Sequence, residues 1–300
     1  MGAEEVVRIS GSSTGRRLVV LLSAALALLA GCSTSGSGTT SPTTSTAGTS
    51  ASGPSASASS GAPIDDGDAA TLPTFPEATA PPRLPSQVST AQTQQFLTSV
   101  FDDVQRQWQS VFAGARRAYT PARLVHYSTA VRTACGDETA DVGPFYCPAD
   151  HTVYLDASFF TLLERQHGVS GDFALAYVVA HEVGHHVQTL TGVSHQVAVA
   201  SSAQPAVANQ LSVLTELQAD CYAGLWAHTT YQRSLLEPGD IEQALTAAAA
   251  VGDDYLQHTA TGTVDPEQWT HGSSAQRQHW FTVGYQSGQP GSCDTFTAAR

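Results

Sequence analysis

From about residue 89 onward, apolar residues return every three to four positions in long stretches and alternate in short ones. Ser89 or Thr90 can cap a first helix, on which Phe96, Leu97, Val100, Phe101, Val104 and Trp108 share one face of a 3.6-residue period. Residues 124–131 and 152–155 read as strands, and Asp156 then opens a helix carrying Phe159, Phe160, Leu162 and Leu163. A long, mostly apolar helix follows over 172–190, and another over 205 to about 231. Pro238-Gly239-Asp240 starts a helix with Ile241, Ala244, Leu245 and Ala248, and Ser273 or Ser274 starts a last one with Trp280, Phe281 and Tyr285. Residues 191–210, rich in Ser, Ala, Val and Gln, read as a lid or a plain connection. Helices outnumber strands, so the expected fold class is α+β, mainly helical with a small sheet.

Upstream of residue 89 this periodicity stops. Arg16 and Arg17 precede a 13-residue apolar run, 18–30, that ends in Leu29-Ala30-Gly31-Cys32. A basic start, a short apolar stretch and small residues make a secretion signal, and the run is too short to span about 30 Å of hydrocarbon. Small residues directly before a cysteine resemble the bacterial lipoprotein signal, which implies cleavage after residue 31 and lipidation of Cys32. Residues 32–88 are rich in Ser, Thr, Gly, Ala and Pro, a composition that buries no core and predicts a disordered tether. About 55 such residues have an r.m.s. span of roughly 40 Å. The expected organisation is therefore a signal (1–31), a tether (32–88) and one folded domain (89–300), held outside the cytoplasm on the cell membrane by its lipid.

Charge narrows the partners. The chain has 300 residues and a formal net charge of -13, with arginine as its only strong base and no basic stripe. That excludes nucleic acid as a partner. Cys32 accounts for the odd member of five cysteines. Cys135, Cys147, Cys221 and Cys293 remain, and an exported protein meets an oxidising setting. Three pairings are open, and sequence alone does not choose. Cys135–Cys147 would close a short loop through Gly143-Pro144-Phe145, leaving Cys221–Cys293 to pin the C-terminus.

The candidate chemistry lies in His181-Glu182-Val183-Gly184-His185. Residues i and i+4 of a helix share a face, so two imidazoles at that spacing can converge on one Zn²⁺. Glu182 is turned about 100° away, so it flanks the metal as a candidate general base. The preceding residues, 173–180, read as a buried helix, where uncompensated polar groups are costly. Thirty-one residues after His185 comes Glu216-Leu217-Gln218-Ala219-Asp220. Glu216 is a suitable third zinc ligand that leaves the fourth position to water. Asp220, one turn on, can accept the second ring N–H of a zinc histidine. Gln188 and Thr191 occupy the positions where the metzincin pattern needs Gly and His, which excludes that class. The helical Glu-x-x-x-Asp resembles the gluzincin arrangement instead, and with it a zincin-like fold.

Six stretches together resemble one family, the bacterial neutral zinc metallopeptidases. They are GPFYCP (143–148), VYLD (153–156), HEVGHHVQ (181–188), ELQADCYAGLWA (216–227), GDIEQALTAAAAVGDDYLQ (239–257) and HGSSAQRQHWF (271–281). The resemblance implies one Zn²⁺ per chain on His181, His185 and Glu216, with Glu182 catalytic. Ser273 stands where the family's run usually has Thr, which keeps the hydroxyl. His271 belongs to the last run and is a candidate for stabilising the charge that develops on a scissile carbonyl oxygen. His186 is expected to face solvent or the surroundings of the metal. The expected partner is a peptide or protein substrate, with strand 153–155 as a candidate edge for pairing with it. Two rival readings share the site: a zinc-stabilised surface binding module without turnover, and a zinc amidase acting on cell-wall peptides. Structural zinc sites usually fill all four positions with protein ligands, so three ligands plus a general base favour an enzyme.

Overall fold

The computed structural model describes residues 72–74 and 90–298. The signal, Cys32 and most of the tether lie outside the described residues. Leu72, inside the stretch read as tether, is buried against the core, so the packed unit reaches further back than residue 89.

The first helix, α1 (Thr90–Gly114), buries the face its sequence marks out, from Phe96 and Leu97 to Val111 and Phe112. Five strands follow: β1 (Arg123–Tyr127), β2 (Ala130–Thr133), β3 (Gly136–Thr139), β4 (Phe145–Cys147) and β5 (Thr152–Asp156). The expected strand over 124–131 is thus two strands broken at Ser128-Thr129, and β2 and β3 form a separate antiparallel hairpin. The main sheet has the order β1-β5-β4, with β5 parallel to β1 and antiparallel to β4. This corrects the placement of 153–155 at an edge. β5 is the central strand, buried at every residue, and β4 has no second ladder partner among the described residues.

Asp156 ends β5 and caps α2 (Ala157–His167) by accepting from Ser158 N at 2.9 Å. Next come α3 (Asp172–Thr191), α4 (Val193–Ala203), a short 3-10 turn and α5 (Ala208–Gln232). Then follow α6 (Asp240–Ala250), α7 (Asp253–Thr261), α8 (Ser274–Ser287) and the short α9 (Thr295–Ala298). Residues 191–210 are therefore mostly helix. Helix α3 is apolar on all sides and sits at the centre, against α1, α5, α6 and β4. The pair α5 and α8 packs backbone to backbone. A Cβ at Gly224 would lie 2.1 Å from Phe281 O, and one at Gly284 would lie 2.0 Å from Cys221 O, so only glycine fits either place. A capping box at Ser273 and Gln276 starts α8.

Both preferred disulfides form: Cys135–Cys147 ties the β2–β3 hairpin to β4, and Cys221–Cys293 ties α5 to the C-terminal segment. Among the described residues no helix is long and apolar enough to cross a membrane.

Candidate metal centre

Helix α3 places its polar run at the end of a buried apolar segment, next to α5. His181 and His185 stand one turn apart, with ring centroids 4.8 Å from each other. Glu216 of α5 faces both. Its Oε2 lies 3.1 Å from His181 Nε2 and its Oε1 lies 3.4 Å from His185 Nε2. All three donor atoms fall within 4.8 Å of one another. Donors about 2.0–2.1 Å from a common tetrahedral ion sit about 3.3 Å apart, so these three residues fit Zn²⁺ with one position left open.

Each imidazole is held by its other nitrogen. His181 Nδ1–H donates to Asp220 Oδ1 at 2.9 Å, and His185 Nδ1–H donates to Gln188 Oε1 at 2.8 Å. Asp220 is the partner its spacing predicted. Gln188 is one that sequence reasoning missed, although it stands at i+3 from His185 on the same helix. Its amide nitrogen donates to Thr215 O at 2.7 Å and to Gln218 Oε1 at 3.0 Å, which turns its oxygen toward His185. Both rings therefore present Nε2 to the same point.

The electrostatics follow from burial and crowding. Burial lowers the His181 pKa, but Asp220 and Glu216 outweigh it and push it up to about 9. Burial raises Glu216, and the two histidines more than reverse that, so it stays well below the ordinary carboxylate value. For Glu182 burial wins over the nearby histidines and Arg277, and its pKa is raised, the direction that suits a general base.

A cleft of about 420 Å³ opens over these groups. His181, Glu182, His185 and Glu216 line its floor, with Phe145 of β4 on one wall and Val197 of α4 on the other. His271 lines the same cleft from the loop before α8. It is fixed by Asp253 at the start of α7. Asp253 Oδ2 accepts the backbone N–H groups of Thr270, His271 and Gly272 at 2.7, 2.6 and 3.0 Å, and its Oδ1 accepts His271 Nδ1 at 3.1 Å. Sequence reasoning missed Asp253, whose only signal was its place in the Gly252-Asp253-Asp254 run.

His186 does not face solvent, nor does it touch the metal residues. It is fully buried, shares a hydrogen bond with the Tyr146 hydroxyl through Nδ1 at 2.9 Å, and bonds Thr120 O through Nε2 at 2.7 Å. Burial carries its pKa down to about 4, so it is a neutral strut between α3, β4 and the loop after α1.

This site and the helices that carry it define a class. The chain belongs to the zinc peptidase family described as "Putative neutral zinc metallopeptidase", whose family model matches residues 73–296. Among its relatives, the protein called "Uncharacterized protein YpfJ" from Escherichia coli K12 is 46% identical over 202 residues, which cover 67% of this chain and 70% of the relative. "Uncharacterized protein Rv2575" from Mycobacterium tuberculosis H37Rv is 52% identical over 203 residues, 64% of this chain and 67% of the relative. No solved structure matches the chain.

Proposed function

We propose that this chain is an extracytoplasmic zinc peptidase of zincin-like design, in which His181, His185 and Glu216 hold the metal and Glu182 is the general base. The observation that carries this reading is the convergence of three donors from two helices, both histidines locked through Nδ1, with Glu182 in the same cleft. Zinc, when bound, supplies a Lewis acid that makes water more acidic and polarises a carbonyl. Glu182 takes a proton from the attacking water and passes it to the leaving amine. Asp253 accepts from His271 Nδ1–H, so Nε2 donates to the negative charge that develops on the carbonyl oxygen when the ring is an imidazolium, whose charge the Asp253 carboxylate balances. The side of β4 that has no ladder partner among the described residues offers backbone groups to an extended peptide in the cleft it lines.

The substrate is a peptide or protein near the outer face of the membrane, where Cys32 and the tether hold the domain. Cleavage of a mixed peptide library by the zinc-loaded full chain tests the reading, with zinc-loaded Glu182→Gln as control. Cutting by the wild type alone supports it. No cutting by either protein moves weight to a non-catalytic module or to an amide substrate in the cell wall.

A further inference from the structure

Among the described residues, Arg277 is the one guanidinium in contact with the groups around the candidate metal centre, and it resembles no ordinary surface arginine. Its side chain is 2% exposed, and the Asp220 side chain it meets is 0% exposed. Its Nε donates to Asp220 Oδ2 at 2.8 Å and its Nη2 to Oδ1 at 3.0 Å, a two-pronged grip. The Tyr177 hydroxyl also donates to Oδ1. His181 Nδ1 donates to that same oxygen at 2.9 Å. Of these four bonds three fall on Oδ1 and one on Oδ2, so donors crowd the oxygen that meets His181. Nη1 is anchored in turn on Val251 O at 3.3 Å.

We infer that Arg277, with Tyr177, is a positioning residue of the metal centre. It fixes the Asp220 carboxylate so that His181 is held with Nε2 turned toward the metal. This rests on the metal-centre reading above and extends it to two residues, on α8 and α3, that supply no donor atom to the metal. The bare alternative is a buried ion pair that only staples α8 to α5. Two features favour positioning. Three of the four bonds meet on Oδ1, the atom that also receives the His181 proton. Arg277 also balances the charge of Asp220, so the dication is left to answer Glu216 and Glu182. A lysine at 277 keeps the charge but loses the planar fork that sets the carboxylate's angle.

Zinc affinity decides between the two, measured by competition with a chromophoric chelator. The proteins are the wild type, Arg277→Lys, Tyr177→Phe, Asp220→Asn and the Asp220→Asn/Arg277→Lys double variant. Partners that orient metal-bound histidines typically alter metal affinity about 10- to 100-fold when mutated. Arg277→Lys is expected to weaken zinc binding by about that factor, and Tyr177→Phe by less in the same direction. Once Asp220 is Asn, Arg277→Lys should weaken it no further. A folded Arg277→Lys protein with wild-type zinc affinity and a lower Tm overturns the inference, as does an equal loss in the Asp220→Asn background. If Arg277→Lys does not fold, Tyr177→Phe decides, because it deletes one hydroxyl, and unchanged affinity there is equally fatal. Failure of the inference alone leaves wild-type zinc binding intact, whereas a wild type that binds no zinc removes the metal centre itself.

Discussion

Helix α5 takes part in two buried clusters of charge, one in its middle and one at its C-terminal end, and they are balanced differently. At the end, Arg233 meets Asp103 of α1 through two bonds of 2.7 Å, and Trp226 Nε1 adds a third at 2.9 Å. Arg233 is the buried cation of this cluster, the largely exposed Arg106 adds a 3.3 Å contact to Asp103 Oδ1, and the cluster is closed. In the middle, Asp220 and Glu216 of α5 join Glu182 of α3, all buried, against the single guanidinium of Arg277. After Asp220 and Arg277 are paired, Glu216 and Glu182 remain, and without a metal the acids beside His181 and His185 raise the pKa of both imidazoles, His181 to about 9. A dication bound by the deprotonated imidazoles can replace those protons, whereas the first cluster holds its own permanent cation, and an uncompensated buried charge costs several kcal/mol. A charge deficit in a buried cluster thus distinguishes a ligand site from a structural ion pair.

The sharpest test of that contrast is Glu182→Gln, which removes one charge of the open cluster and the candidate base. It should lower peptide turnover about 10²- to 10⁴-fold, or about 3–5.5 kcal/mol of barrier, with zinc retained. Turnover and metal content measured on the same sample check it. A variant that binds zinc and cuts at the wild-type rate would remove Glu182 from the chemistry.

Arg233→Met breaks the closed cluster instead and leaves the buried Asp103 with only Trp226 Nε1 and the largely exposed Arg106. Such a change should cost about 3–5 kcal/mol of stability, read from urea unfolding. Zinc content and turnover of the folded fraction should not move. Loss of zinc in this variant would mean that the two clusters are coupled along α5 and that the contrast is false.

Metal removal probes the open cluster from the other side. With free zinc at 100 times its Kd, binding adds about 2.7 kcal/mol to the folded state, and a chelator should remove that increment. Arg233→Met should show the same increment as the wild type, and Glu216→Ala should show none. Thermal melts with and without chelator make the comparison.

The open cluster is legible in the sequence because helix geometry is local. An i, i+4 pair of histidines or acids shares a face whatever the rest of the fold does, so spacing pairs His181 with His185 and Glu216 with Asp220, and the family resemblance joins the two pairs at one metal. It does not place Arg277 or Asp253. Arg277 reaches the site because Gly224 and Gly284 let α5 and α8 touch, and no pattern within either helix announces that contact. Asp253 meets His271 across a turn and 18 positions. β4 is three residues long, too short for alternation to show, and without it β5 reads as an edge. Helix α4 escapes because it buries only Val193, Val197 and Ser201 in a segment of uniformly small and weakly polar residues. The main helices, by contrast, carry enough large apolar residues at the right period to be read directly.

The smallest effect lies in acid, where the closed cluster can be isolated from the open one. Burial by itself raises the Asp103 carboxyl, but its hydrogen bonds and charge pairing with Arg233, together with the Trp226 bond, more than reverse this. Its pKa lies below the ordinary aspartate value of 3.8. A carboxyl whose folded pKa is depressed stabilises the fold above its unfolded pKa. That contribution is fully present once the pH is well above 3.8 and is lost as the pH falls through the folded value. One such group adds a slope of at most about 1.4 kcal/mol per pH unit. Without Arg233, burial is opposed only by the Trp226 hydrogen bond and by Arg106, so the Asp103 pKa rises and its acid-dependent contribution to stability shrinks. Glu216 and Asp220 also titrate in acid, but they do so equally in both proteins. The stability difference between wild type and Arg233→Met, both held in chelator, should therefore shrink as the pH drops below about 4. A difference that stays constant from neutral pH into acid would show that Arg233 does not set the charge state of Asp103, and the closed cluster would lose its claim to be self-balanced.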